Sequence, residues 1–199
     1  MSNSARVGKI DGRRLRSARS RQAILTAAVE LVEEGSLVPT AQQIAERAGV
    51  GIRSFFRHFE EMESLFEALD LHLRDTYEAH FAHQFRCGTL EERIAGAVQA
   101  HADGYEKCRN LMLSAQALRW KSKVVRQNYA RSQRLLRQEL ELWLPEIIEF
   151  PKDARETIDA VASFDMWHRL REHQRLSKKA SNQLIESLLR DLVLAFAKR

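Results

Sequence analysis

Apolar residues recur through most of the chain with the three- and four-residue spacing of one face of an α-helix. Between residues 20 and 34, Ile24, Ala28, Leu31 and Val32 repeat in this way, and Gly35 follows as a terminator. The alternating pattern that marks β-strands is not found. The sequence therefore predicts an all-α protein. Two short helices open at Thr40 and near Gly51, and longer ones are expected over residues 20–34, 61–86, 90–107, 111–121, 123–144, 153–174 and 178–197.

The helix that opens at Thr40 has both of its ends encoded locally. Thr40 and Gln43 have the spacing of a capping box, in which each side chain bonds the other residue's backbone N–H. Gly49 is suited to the left-handed conformation that ends a helix. A helix this short is marginal in water, so neighbouring elements must hold it in place.

The next short helix separates apolar from basic positions. Ile52, Phe55 and Phe59 fall on one face, and Arg53 and Arg57 fall one turn apart on the other. Two arginines on the outer face of a short, supported helix suit a helix–turn–helix unit that enters the DNA major groove. An ordinary polar face of a helical hairpin is the alternative.

Positive charge is concentrated near the N-terminus. The chain has a formal net charge of +5; residues 1–59 carry ten Lys or Arg against five Asp or Glu, and the remainder carries 22 of each sign. Residues 1–21 contain seven basic residues and a single acidic residue, Asp11. Such a run is either a solvated tail or an electrostatic arm for a polyanion. We expect an arm that contacts DNA through Arg13, Arg14, Arg16 and Arg19.

The segments "ILTAAVELVEEG" and "TAQQIAERAGVGIRSFFRHFEEMESLF" resemble the TetR family of transcriptional regulators. The resemblance implies a three-helix DNA-binding domain over residues 1–62 and a helical ligand-binding and dimerisation domain over residues 63–199. Three positions depart from the family pattern: Gly51 replaces Ser or Thr, Phe56 replaces Tyr, and Met62 replaces a phosphate-contacting Lys. The DNA-binding residues expected outside the arm are Thr40, Gly51, Arg53, Ser54, Phe56, Arg57 and His58.

The last two predicted helices are apolar over a wide arc, which indicates either full burial or a shared interface. The resemblance implies that they pair with their copies in a dimer. Burial inside one chain is the alternative that the residues alone favour. The expected dimer residues are Phe164, Trp167, Leu184, Ile185, Leu188, Leu192 and Phe196.

The middle helices contain aromatic and sulfur-containing side chains that suit either a small-molecule pocket or an ordinary core. The resemblance implies a pocket, for which the candidate residues are Phe81, Phe85, Tyr105, Met112, Trp120 and Tyr129. His80, His83 and Cys87 would share a helical face, but no compact ligand motif accompanies them, so no metal site is assigned. No catalytic constellation and no cofactor motif is found.

These observations predict a cytoplasmic DNA-binding protein, and the resemblance implies a homodimeric regulator that binds an operator in double-stranded DNA. The resemblance implies a repressor that an unidentified small molecule releases. No signal-peptide core or membrane-spanning stretch is present, and two cysteines give no disulfide framework. Two alternatives from other classes stay open, namely an all-α enzyme for an anionic substrate and a helical adaptor.

Overall fold

A computed structural model of the chain describes residues 4–82 and 86–197, with side chains from Arg14 onward. Helices dominate this part of the chain and it contains no strand, which confirms the all-α prediction. A short 3₁₀ helix, Pro145–Glu149, and a π-helical turn, Arg169–His173, accompany the α-helices. The α-helices are α1 (Ser4–Glu33), α2 (Ala41–Arg47), α3 (Ile52–His58), α4 (Met62–Ala79), α5 (Leu90–Leu118), α6 (Lys123–Trp143), α7 (Lys152–Ala162), α8 (Phe164–His168) and α9 (Lys178–Ala197).

Helix α1 begins at Ser4, so the predicted start at residue 20 is wrong. The basic segment that was expected to be a flexible arm continues the helix. Arginine, leucine and alanine favour helix formation, and the segment contains no proline to stop it. The basic side chains of Arg14, Arg16, Arg19 and Arg21 therefore project from a helix.

Three other predicted boundaries are wrong. The break between residues 107 and 111 does not occur, because no glycine or proline stands there and α5 runs unbroken across it. Helix α4 ends at Ala79 instead of residue 86. The helix predicted over residues 153–174 is interrupted at Ser163, whose hydroxyl accepts a bond from the Met166 N–H and starts α8.

Elements with strong local signals lie where they were predicted. The capping box at Thr40 is present, with the Thr40 N–H donating to Gln43 Oε1 at 2.8 Å. Gly49 has a φ of +65°. Helix α6 begins at Lys123, and α9 spans the predicted residues.

The chain forms two compact units. Unit 1 consists of Met1–Arg74 and Asn110–Tyr129, and unit 2 of Asp75–Arg109 and Ala130–Arg199. The core of unit 1 joins α1, α2, α3 and the first half of α4. Arg47 on α2 donates two bonds to the Glu34 carboxylate, at 2.8 and 2.6 Å, and thereby lowers the pKa of that group.

Two contacts attach the later segment of unit 1 to the earlier one. Asn110 Nδ2 donates to the Glu33 carbonyl at the C-terminus of α1, at 2.7 Å. The Glu63 carboxylate on α4 accepts from Ser122 Oγ at 2.8 Å, from the Lys123 N–H at 3.2 Å and from the Val124 N–H at 3.3 Å. The first turn of α6 is therefore capped by a side chain from α4.

Unit 2 has an aromatic core around Tyr105, whose hydroxyl donates to the Ala162 carbonyl at 2.8 Å. Phe81, Phe164 and Trp167 surround this ring at centroid distances of 5.5–5.8 Å. Gly104 allows α5 to approach the Phe81 ring closely. Within the described residues, no helix is long and apolar enough to span a membrane.

Candidate nucleic-acid interface

Helix α3 is held in unit 1 by two phenylalanines. Phe55 is 0% exposed and Phe59 is 1% exposed, while Ile52 is half-buried beside them. The rings of Phe55 and Phe59 lie 6.0 Å apart. Burying two such side chains contributes roughly 3–6 kcal/mol, which supports a helix of seven residues that could not form alone.

The opposite face of α3 carries the exposed side chains Arg53, Phe56 and Arg57. Arg57 Nη2 donates to Ser54 Oγ at 2.8 Å, so its guanidinium is oriented along the helix. Arg53 has no hydrogen-bond partner among the described residues. The structure thus places two exposed guanidinium groups on a rigid helix, one oriented by Ser54 and one able to reach a ligand.

His58 ends α3 in a positively charged environment. Burial lowers the pKa of its imidazole, and the charges of Arg57 and Arg21 lower it further. A pKa below the ordinary 6.5 leaves the ring neutral at pH 7, where it can donate one hydrogen bond. Its Nε2 has no hydrogen-bond partner within the described part of the chain.

Arg21 belongs beside this site, although it is not among the predicted DNA-binding residues. Its guanidinium lies 5.0 Å from the centroid of the Phe59 ring, and its charge acts on His58. Arg21 precedes the buried Ile24 by three residues on α1, so it shares that helix face. The three-residue spacing from Ile24 is the sequence signal that places Arg21 on this face.

The other predicted DNA-binding residues lie on α1, on α3 or at the N-caps of α2 and α3. Thr40 is the N-cap of α2, and the exposed Gly51 is the N-cap of α3. Phe56 is 44% exposed, and its ring meets Phe55 edge-on at 5.2 Å. On α1, Arg14, Arg16 and Arg19 are exposed, whereas the Arg13 side chain lies outside the described ones.

The beginning of α4 is less acidic toward solvent than its sequence suggests. Glu60 and Glu61 are exposed, but Glu63 is half-buried and its carboxylate is directed to the N-terminus of α6. Only two of the three carboxylates therefore remain free to repel a phosphate backbone.

The predicted ligand-binding residues are distributed over both units. Phe81 and Tyr105 meet in the core of unit 2, whereas Met112 is buried in unit 1 and Tyr129 is half-buried there. Trp120 is 77% exposed, because it lies in the turn between α5 and α6. Phe85 lies outside the described residues.

Unit 2 contains a cavity of about 10 Å³, roughly one water position. Its walls are mostly apolar side chains of α5, α6, α7 and α9. Its polar groups come from His101, Tyr105 and Trp167, and the indole N–H of Trp167 has no partner among the described residues. In this conformation the cavity is too small for a drug-sized molecule.

The predicted dimer residues fall into two groups. Phe164, Trp167 and Ile185 are buried within unit 2. Leu184 is 39% exposed, and Leu188 and Leu192 follow it at four-residue intervals as half-buried side chains. Phe196 is half-buried and lies 6.0 Å from the Phe150 ring.

The histidine and cysteine set does not form a metal site in the described part of the chain. His80 is half-buried, Cys87 is exposed, and His83 lies outside the described residues. No three His, Cys, Asp or Glu side chains among those described are arranged to hold a metal ion.

The N-terminal part of the chain matches a family of known proteins. Residues 24–69 match the family model described as "Bacterial regulatory proteins, tetR family". The span runs from Ile24 in α1 through α2 and α3 to Leu69 in α4, so it includes the helices that carry the candidate interface. The match confirms the resemblance found in the sequence motifs. No individual curated protein matches the chain.

Proposed function

We propose that this chain, which belongs to the TetR family of DNA-binding transcriptional regulators, is a homodimeric repressor that a small molecule releases from its operator. The observation that carries this proposal is the two-sided character of α3. Its buried phenylalanines make it rigid, and Arg53 and Arg57 are exposed on its outer face. Arginines in this arrangement bind guanine edges or phosphates when the helix enters the major groove.

Basic residues of α1 suit the phosphate backbone. The exposed guanidinium groups of Arg14, Arg16 and Arg19 extend along α1, and Arg21 lies next to His58. Such side chains bind phosphates, and they therefore strengthen binding to a duplex of any sequence. Deleting residues 1–16 should weaken operator and random DNA alike and reduce the salt dependence of binding, since fewer counterions are released.

A dimer is supported by the apolar stripe on α9. Leu184, Leu188 and Leu192 lie along one side of the helix, next to the buried stripe that anchors it in unit 2. A second copy would bury these leucines and hold two recognition helices for two half-sites. Leu188→Glu should produce monomers in light scattering, whereas the exposed Gln183→Glu on the same helix should not. A wild-type monomer at micromolar concentration would contradict the dimer.

Ligand release is supported by the cavity in unit 2. Because its volume of about 10 Å³ has room for only one water molecule, a bound molecule must enlarge it and thereby favour a different packing of that unit. A ligand that prefers the DNA-free conformation then weakens operator binding by the same factor by which DNA weakens ligand binding. The expected observation is a compound that raises the melting temperature and lowers operator affinity over one concentration range.

The decisive experiment is the selection of bound duplexes from a random DNA pool. A palindromic consensus would support a dimer that reads two half-sites. Binding without sequence preference would support only phosphate contacts by the basic residues, and not base recognition by α3. Turnover of an anionic compound without selected DNA would favour the enzyme alternative, and an absence of both would favour the adaptor.

A further inference from the structure

A second cationic segment lies in the middle of the chain. Residues 107–138 contain nine Lys or Arg and no Asp or Glu. This run does not show in the net charge of the chain after residue 59, because acidic residues elsewhere cancel it. The part of the run in unit 1 centres on the turn between α5 and α6, which we call the basic turn: Arg119, Trp120, Lys121, Lys123 and Arg126.

We propose that the basic turn is a second DNA-binding surface, which contacts phosphates of the same duplex that α3 reads. The inference rests on the proposed function. It adds a contact site outside residues 24–69, the span that the family model covers.

The charges of the basic turn are available to a ligand. Lys121, Lys123 and Arg126 are exposed and, within the part of the chain that the structure describes, none of them has an ion pair. Two basic residues of unit 2 differ in this respect: Arg93 pairs with Glu146 at 2.7 Å, and Arg137 pairs with Glu156 at 2.7 Å. The basic turn thus presents unpaired positive charge to solvent, which attracts a polyanion.

The position of the basic turn is fixed relative to α4. The Glu63 carboxylate, in the first turn of α4, bonds Ser122 Oγ and the N–H groups of Lys123 and Val124. Helix α4 follows α3 after only three residues, and all of these groups belong to unit 1. The turn and the recognition helix therefore belong to one compact unit.

Two aromatic rings stiffen the turn. The Arg119 guanidinium lies 4.9 Å from the Trp120 centroid and 4.5 Å from the Tyr129 centroid. This cation–π arrangement holds the beginning of the turn against α6. A guanidinium held in this way loses little conformational entropy on binding, so Arg119 suits a phosphate contact.

The proposal is tested by removing the charges of the basic turn in the full-length protein. The variant is Lys121→Ala, Lys123→Ala and Arg126→Ala combined. The control is Lys107→Ala, Lys152→Ala and Lys179→Ala combined, which removes the same charge from exposed positions of unit 2. Both proteins are titrated with the selected operator at several salt concentrations. We expect the turn variant to reduce the slope of log K against log salt by roughly 0.9 for each phosphate that it no longer neutralises, and the control to change it much less.

Trp120 provides a second, independent measurement. It is 77% exposed, whereas Trp143 is 7% and Trp167 is 2% exposed, so acrylamide should quench mainly Trp120. Operator binding should protect this emission, and Trp120→Phe should remove the accessible component. The same quenching measurement is repeated with vesicles of phosphatidylserine and phosphatidylcholine in place of the operator.

The outcomes separate this inference from the function on which it rests. If wild-type protein selects no operator, the proposed function fails and the inference fails with it. If the operator binds but Trp120 stays accessible and both triple variants give the same salt slope, only the inference is overturned. Protection of Trp120 by vesicles and not by operator would also overturn it, because the turn would then be a membrane-binding surface.

Discussion

Replacing Glu63 by alanine removes the cap that joins α4 to α6. The carboxylate accepts three bonds at the N-terminus of α6, from Ser122 Oγ at 2.8 Å and from two backbone N–H groups at 3.2 and 3.3 Å. Ser122 Oγ in turn accepts from the Val125 N–H at 3.0 Å. After Glu63→Ala, the N–H groups of Lys123 and Val124 lose their protein acceptor.

The expected loss of stability follows from these bonds. Hydrogen bonds to a charged group contribute about 1.5–3 kcal/mol, and loss of a helix N-cap costs about 0.5–2 kcal/mol. The two backbone bonds are long and Lys123 is exposed to water, so we expect a cost of about 2 kcal/mol, a value that both ranges include. In urea this should lower the unfolding midpoint without changing the slope m.

The matched control is Glu61→Ala, two residues earlier, where the side chain is exposed. Ser64 bonds only the backbone carbonyl of Glu61, so that hydrogen bond survives the change. A double-mutant cycle of Glu63→Ala with Ser122→Ala should show a coupling energy of roughly 0.5–3 kcal/mol. Equal unfolding midpoints for Glu63→Ala and Glu61→Ala would refute the capping role.

Three further predictions concern the interface and the core. Whichever of Arg53→Ala and Arg57→Ala removes a base contact should weaken operator binding by about 1–3 kcal/mol, or roughly 5- to 150-fold in affinity, and should weaken binding to a random duplex less. Equal losses of affinity on both duplexes would mean that neither arginine reads a base. Because burial lowers the pKa of His58 in the folded state, the unfolded chain binds its proton first, so stability should fall as pH drops below about 6.5. His58→Gln should reduce that fall in pH-dependent urea unfolding, and an unchanged profile would contradict the assignment. Gly104→Ala would place a Cβ 2.6 and 2.9 Å from two carbons of the buried Phe81 ring, which should cost about 1–3 kcal/mol of stability through overpacking and offset the gain of about 1 kcal/mol in helix propensity. Gly12→Ala has open space around the new Cβ and should keep that gain, and thermal unfolding of the two variants measures the difference.

The helix–turn–helix elements could be predicted because their signals are local. Thr40 and Gln43 form a capping box within one turn, and the three-residue spacing of Ile52 and Phe55 sets the buried face of α3. These features need no knowledge of distant residues. The assignment of Arg53 and Arg57 to the outer face follows from the same period.

The remaining boundaries depend on contacts between distant segments. The break at Ser163 has no glycine or proline to announce it. Trp120 suited a pocket by composition, but its position in the turn after α5 leaves it in solvent. The basic turn does not show in the net charge of residues 60–199, because acidic residues outside residues 107–138 balance it.

Unit 1 is discontinuous in sequence, and this affects how the protein is made. The hydrophobic cluster that holds α3 lies within residues 24–69, but Glu33 and Glu63 bond residues from the segment Asn110–Tyr129. During translation, residues 75–109 leave the ribosome between the two parts. Since segments made first can fold first, a nascent chain can bury Phe55 and Phe59 early, yet it forms the hydrogen bonds of Asn110 and Ser122 only later. A chain interrupted before residue 110 would therefore carry a recognition helix in a less stable unit.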